Sequence, residues 1–176
     1  LAEIARDQNA LISSRNGDKL IPAFLCPRLS KSVSFESMSL RPFHLAIPVR
    51  DILEARAFYG TFLGFEEGRS ATHWIDWNFF GHQLVTHEDQ NHARHLSFNA
   101  VDGDSVPIPH FGVVLEMTDW KSLQIKLENS DVKFIIEPHI RFEGQPGEQA
   151  TMFFLDPSGN ALEFKAFENL GQLFAK

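Results

Sequence analysis

The sequence predicts an α+β domain built from two βαβββ units, and three observations carry that prediction. A strand-like segment, an amphipathic helix and further strands occur twice in the same order. The ends of the two copies can be laid over each other, FF-GHQLVTH (79–87) on FFLDPSGNALEFK (153–165), at a period of about 65 residues. A histidine opens the first strand of each copy, His44 in one and His110 in the other.

The first unit opens with FHLAIPV (43–49), which reads as a buried strand. The helix DILEARAFYGTFLGF (51–65) has Asp51 placed to cap it and Gly64 to end it, with Leu53, Ala57, Phe58 and Phe62 at helical spacing. THWIDWNFF (72–80) is rich in β-favouring residues, and Gly81 parts it from HQLVTH (82–87) as in a hairpin. In the second unit HFGVVLEM (110–117) is the strand. DWKSLQIKLENSD (119–131) is the helix, capped by Asp119, with Leu123, Ile125 and Leu127 among its apolar positions. KFIIEPHI (133–140) and ATMFFLD (150–156) are strands, and Pro157-Ser158-Gly159-Asn160 turns the chain into ALEFKAF (161–167).

Module one therefore spans 43–87, a polar linker 88–109 and module two 110–167, within a domain of residues 41–176. Residues 1–40 are expected to form a separate N-terminal extension, disordered or targeting. From residue 19 to 40 it carries Lys19, Arg28 and Lys31 against one acid, Glu36, among five serines, which is transit-peptide composition. Asp7 and Asp18 run against that reading. The expected location is the cytoplasm, or a chloroplast or mitochondrion if residues 19–40 are a transit peptide.

A hydrophobic content of 43% with 17 Phe supports a packed core rather than disorder. The formal charge of −7 and the lack of a Lys/Arg stripe argue against a nucleic-acid partner. No apolar run approaches the roughly 20 residues that span a bilayer. Cys26 is the single cysteine, which excludes disulfide frameworks and CxxC metal sites.

His44, His110 and Glu163 carry the chemistry. Superimposing the halves sets His44 against His110 and Glu163 against Val85. Two imidazoles and one carboxylate are the ligand set of a facial metal site with open positions, and valine cannot add a fourth ligand. A packed or surface histidine is the ordinary alternative for either histidine alone. The segment EPHIRFEGQPGEQA (137–150) is expected to be a loop, mobile at Gly144 and Gly147, that could close over a pocket. Within it, Arg141 is a candidate grip for a substrate anion and His139 a candidate acid–base, both expected to be catalytic residues. His92 and His95 raise a weaker possibility of a second metal site.

These segments, and above all the D-P-x-G-N-x-x-E run from Asp156 to Glu163, resemble the vicinal oxygen chelate (VOC) superfamily over residues 43–167. It includes glyoxalase I, extradiol dioxygenases, fosfomycin-resistance thiol transferases and bleomycin-binding proteins. The resemblance implies a cupped mixed sheet and a metal held by His44, His110 and Glu163. It implies a divalent ion, Fe(II) first and Mn(II), Zn(II) or Ni(II) as alternatives, acting on a small-molecule substrate as a Lewis acid or binding dioxygen. It further implies a homodimer, with the ligands drawn from one chain or from two.

Two departures narrow the expectation. Val85 stands where glyoxalase I-like members place a fourth ligand, and Phe153 where extradiol dioxygenases place a Tyr, while Gly144, Gln145 and Pro146 stand where their additional His would be. The expected function is a metal-dependent glyoxalase/dioxygenase-like enzyme acting on a small oxygenated substrate. The alternatives are a metal-free, bleomycin-resistance-like binding protein or a thiol transferase.

Overall fold

The computed structural model describes residues 41–93 and 95–176, and the extension expected over residues 1–40 lies outside the described residues. Strand β1 (His44–Val49) leads to helix α1 (Ile52–Ala55), which runs without a break into π-helical turns over Arg56–Leu63. Strands β2 (Glu66–Ala71), β3 (Trp74–Phe79) and β4 (His82–Glu88) complete the first module. A hairpin of β5 (Ser97–Val101) and β6 (Asp104–Ile108) follows. The second module comprises β7 (His110–Leu115), α2 (Met117–Glu128), β8 (Phe134–Arg141), β9 (Gln149–Leu155) and β10 (Ala161–Ala166).

The two sheets repeat one topology in a cupped α+β arrangement, β1-β4-β3-β2 and β7-β10-β9-β8, with the first strand parallel to the last in each. Their registers also agree. Ala46, two residues after His44, lies opposite Val85, and Gly112, two residues after His110, lies opposite Glu163. The equivalence of Val85 and Glu163 expected from sequence is thus a register fact.

Both sheets turn their helix-covered faces into one core. β1 contributes Leu45, Ile47 and Val49, and β7 contributes Phe111, Val113 and Leu115. Phe154 and Phe164, both fully buried, stack with their centroids 5.7 Å apart, and Phe58 of the first module packs against Phe154. Each such ring contributes about 1.5–3 kcal/mol through burial. Because side chains alternate along a strand, the residues at the other parity lie on the open face of each sheet. His44, Ala46 and Pro48 do so in module one; His110, Gly112 and Val114 do so in module two.

Local chemistry explains where the helices start and stop. The Asp51 carboxylate accepts from the Leu53 and Glu54 amides at 2.7 and 2.9 Å, and Gly64 closes the first helix at φ 88, a left-handed conformation suited to glycine. Its buried stripe is Ile52, Ala55, Phe58 and Tyr59, so Leu53 and Ala57 turn outward. The second helix begins at Met117 rather than at the expected Asp119 cap. Glu116 is already extended (ψ 147) and occupies the N-cap position, and Asp119 sits in the first turn. Trp120 and Leu127 are its buried positions, whereas Ile125 faces solvent.

One strand has no counterpart among the segments read from the sequence, and two expectations change. β2, EEGRSA, is an exposed edge strand without apolar alternation. The polar linker 88–109 contains a hairpin, closed by Asp102 (φ 49) and Gly103 (φ 85), the two positive values a type I′ turn requires. The loop expected over 137–150 shrinks to the turn between β8 and β9, because β8 continues to Arg141 and β9 starts at Gln149. His139 and Arg141 therefore stand on a strand.

A candidate metal centre on the open face of module two

Glu163 is central in β10, opposite Gly112 on one side and Phe153 on the other. Its residue exposure is 5%, yet its carboxylate is fully engaged. Thr151 donates to Oε1 at 2.8 Å, His110 Nε2 lies 3.2 Å from Oε2, and Lys165 Nζ lies 3.3 Å from the same Oε2. Burial pushes this carboxyl up, but the hydrogen bond from His110, the Lys165 ammonium and the Thr151 hydroxyl outweigh it and leave the group below the ordinary range.

His110 is fixed from behind. Its Nδ1 lies 2.7 Å from the Pro107 carbonyl, which can only accept, so Nδ1 carries a proton. The neutral ring would then present the Nε2 lone pair to a carboxylate oxygen, a repulsive contact unless a cation stands between them. A proton satisfies it, and the imidazole is raised above its usual value by the hydrogen bond to Glu163, against desolvation and with help from the Pro107 carbonyl. A metal ion would satisfy it equally. Two ligands at right angles, each about 2.1 Å from a shared ion, stand about 3 Å apart, close to the separation found. A carbonyl behind the imidazole and a hydroxyl behind the carboxylate are the outer contacts that orient metal ligands.

His44 is not part of this cluster. Its Nδ1 meets Gln83 Oε1 at 2.7 Å on the open face of module one, and among the described residues no group of three His, Cys, Asp or Glu converges. The fold brings together two of the three expected ligands. Gln83, two residues before Val85 on β4 and so on the same face, orients His44.

The β5–β6 hairpin lies against the open face of module two. Val106 packs on Ile136 and Phe153, and Asp104 Oδ2 receives Arg141 Nη2 at 2.6 Å and His139 Nε2 at 3.1 Å. Asp102 accepts from the Phe142 amide at 2.8 Å. Arg141 is buried over the Phe153 ring, its Nε without a partner, and Phe153 meets the His110 ring edge to face at 5.2 Å. The two expected catalytic residues thus anchor the hairpin whose Pro107 positions His110. Sequence reasoning missed Lys165, although its place two residues after Glu163 on one strand put it on the same face. His92 and His95 line a cavity of about 300 Å³ with Leu45, Pro48, His110 and Ala161, at the seam between β1 and β7.

The D-P-x-G-N run joins the modules. The buried Asp156 carboxylate accepts from the Tyr59 hydroxyl at 2.8 Å and from Asn160 N and Nδ2 at 2.8 and 2.7 Å. Asn160 Nδ2 also donates to the Pro48 carbonyl, and the Arg50 amide donates to Ser158 Oγ. Burial first, then the Asp156 charge and hydrogen bond, pushes the Tyr59 phenol well above its usual value and keeps it a neutral donor.

Comparison with known proteins agrees with this architecture. A crystal structure of a glyoxalase/bleomycin resistance protein/dioxygenase from Alicyclobacillus acidocaldarius is 34% identical, with 76% of this chain and 95% of that chain covered and a TM-score of 0.63. A genomically encoded fosfomycin resistance protein from Listeria monocytogenes (15% identity, 78% and 100% coverage, TM-score 0.57) shares the fold. So does a lactoylglutathione lyase from Agrobacterium tumefaciens (16% identity, 75% and 94% coverage, TM-score 0.51). No curated protein sequence matches the chain. Residues 41–164 match the family as a whole, so the chain belongs to the Glyoxalase/Bleomycin resistance protein/Dioxygenase superfamily.

Proposed function

We propose that this protein is a metal-dependent, glyoxalase/dioxygenase-like enzyme acting on a small oxygenated substrate, with His110 and Glu163 of one protomer and His44 of a second copy as ligands. The observation that carries the reading is the His110–Glu163 pair. An imidazole whose Nδ1 is committed to a carbonyl faces a carboxylate oxygen at 3.2 Å, an arrangement that calls for a cation between them. His44 supports the dimer, because it occupies the equivalent position on an open sheet face while its own module offers Val85 in place of a carboxylate. Val114, exposed on the face that carries His110, supplies apolar surface for such an association.

The two-histidine, one-carboxylate set favours Fe(II), with Mn(II), Zn(II) or Ni(II) as alternatives. When bound, the ion would polarise substrate oxygens or take up dioxygen. The chain's own residues do the rest. Pro107 fixes the His110 ring, Thr151 holds Glu163 Oε1, and Phe153 fills the wall with a ring that cannot exchange protons. The acid–base apparatus of ring-cleaving relatives is absent at that position. Arg141 and His139 act on the site through Asp104 and the hairpin.

Metal analysis of protein purified anaerobically should find close to one divalent ion per chain, and His110→Ala should lose it. Apoprotein that takes up no divalent ion at micromolar concentration would sink the reading and favour the metal-free binding protein. The origin of His44 has its own test. Neither His44→Ala nor Glu163→Ala alone should bind metal tightly, whereas a mixture unfolded and refolded together should regain about a quarter of the wild-type sites, the yield of random pairing of two kinds of subunit. No regain at all would place all three ligands in one chain.

A further inference from the structure

Among the described residues, Lys165 is the one cation on this face whose partner the metal would take. Arg141 is spoken for by Asp104, at 2.6 Å. Lys165 instead leans on Glu163 Oε2 at 3.3 Å, the same oxygen that faces His110, and its side chain is only 31% exposed. It stands on the open face beside Thr151, one alternate position along β10 from Glu163.

We propose that Lys165 makes the metal-loaded site select an anionic substrate, a small oxygenated acid whose negative group takes the place of Glu163 beside the ammonium. The inference rests on the metal reading above. A divalent ion on Glu163 Oε2 sets two positive centres against one carboxylate, and the Arg141–Asp104 pair contributes no spare negative charge. Like charges this close, partly shielded from water, repel strongly. A substrate anion relieves both, placing one oxygen towards the metal position and another within charge-assisted hydrogen-bonding reach of Nζ. A neutral substrate with the same oxygens leaves the ammonium unpaired. Selection then follows from charge, before any difference in shape.

Titration calorimetry with Mn(II), glycolate and its neutral counterpart glycolamide tests this on the full chain. Wild-type protein loaded with Mn(II) should bind glycolate about tenfold or more tightly than glycolamide. Lys165→Met should cut that ratio several-fold, leaving only the metal's own preference for a carboxylate over an amide oxygen, and should itself bind Mn(II) more tightly than wild type in the absence of either probe, because a competing cation has gone. Lys165→Arg, which keeps the charge, should keep the preference. A Lys165→Met protein that binds Mn(II) and retains the wild-type ratio would overturn the proposal. If neither wild type nor variant binds Mn(II), the metal reading fails first and takes the proposal with it.

Discussion

Gly112→Ala is expected to destabilise the domain by about 3 kcal/mol or more, a drop of about 10 °C or more in melting temperature, and, on the metal reading proposed above, to abolish metal uptake with it. A Cβ built at Gly112 would lie 1.5 Å from the Glu163 carbonyl oxygen and 2.6 Å from its carbonyl carbon. Neither atom can rotate away, as the tip of a side chain could. Strands β7 and β10 must separate, and the separation falls where Gly112 and Glu163 are register partners. The equivalent position in module one is Ala46, opposite Val85, where the chain already carries a Cβ. The reciprocal change Ala46→Gly should therefore cost only about 1 kcal/mol, the ordinary penalty of glycine in a strand. Thermal denaturation of the two variants decides the matter; equal losses would show that the close approach at Gly112 carries no special weight.

Asp156→Ala should be the second large loss, about 3 kcal/mol, through a different mechanism. Asp156 is 4% exposed, and its carboxylate accepts three hydrogen bonds, one from the hydroxyl of the fully buried Tyr59 and two from Asn160. Truncation strands those donors away from water, which costs more than the bonds contributed. Tyr59→Phe removes a single donor and leaves the Asn160 contacts, so it should cost about 1–2 kcal/mol. The double variant should lose less than the sum of the two, since both changes delete the same contact. Urea titrations of the three proteins supply the numbers, and strict additivity would contradict the buried hydrogen bond.

The sequence makes the parts of this molecule with strong periodicity easy to read. Asp51 and Gly64 frame the first helix because capping depends on a few adjacent atoms. The parity of Glu163 and the place of Val85 follow from the two-residue repeat of a strand together with the internal duplication. Elements without an apolar signature were hidden. β2 has no buried residue to mark it, and β5–β6 looks like a polar linker although Asp102-Gly103 is a hairpin turn in plain sight. The helix phase slipped for a related reason. Leu53 and Ala57 belong to the expected stripe, but tertiary packing turns them outward and buries Ile52, Ala55 and Tyr59 beside Phe58. At the site, the candidate residues and their strand parity are legible, and their convergence is not. Whether His44 meets His110 depends on which sheet faces look at one another, a long-range property that no local spacing encodes.

The segment Asp156–Asn160 is the most recognisable stretch of the chain, and its polar side chains are engaged in hydrogen bonds within the fold. They tie Tyr59, Pro48 and Arg50 of one half to the other. In this chain the run is therefore a joint between duplicated halves. Such a joint constrains how the two modules assemble and leaves the open faces of both sheets unconstrained.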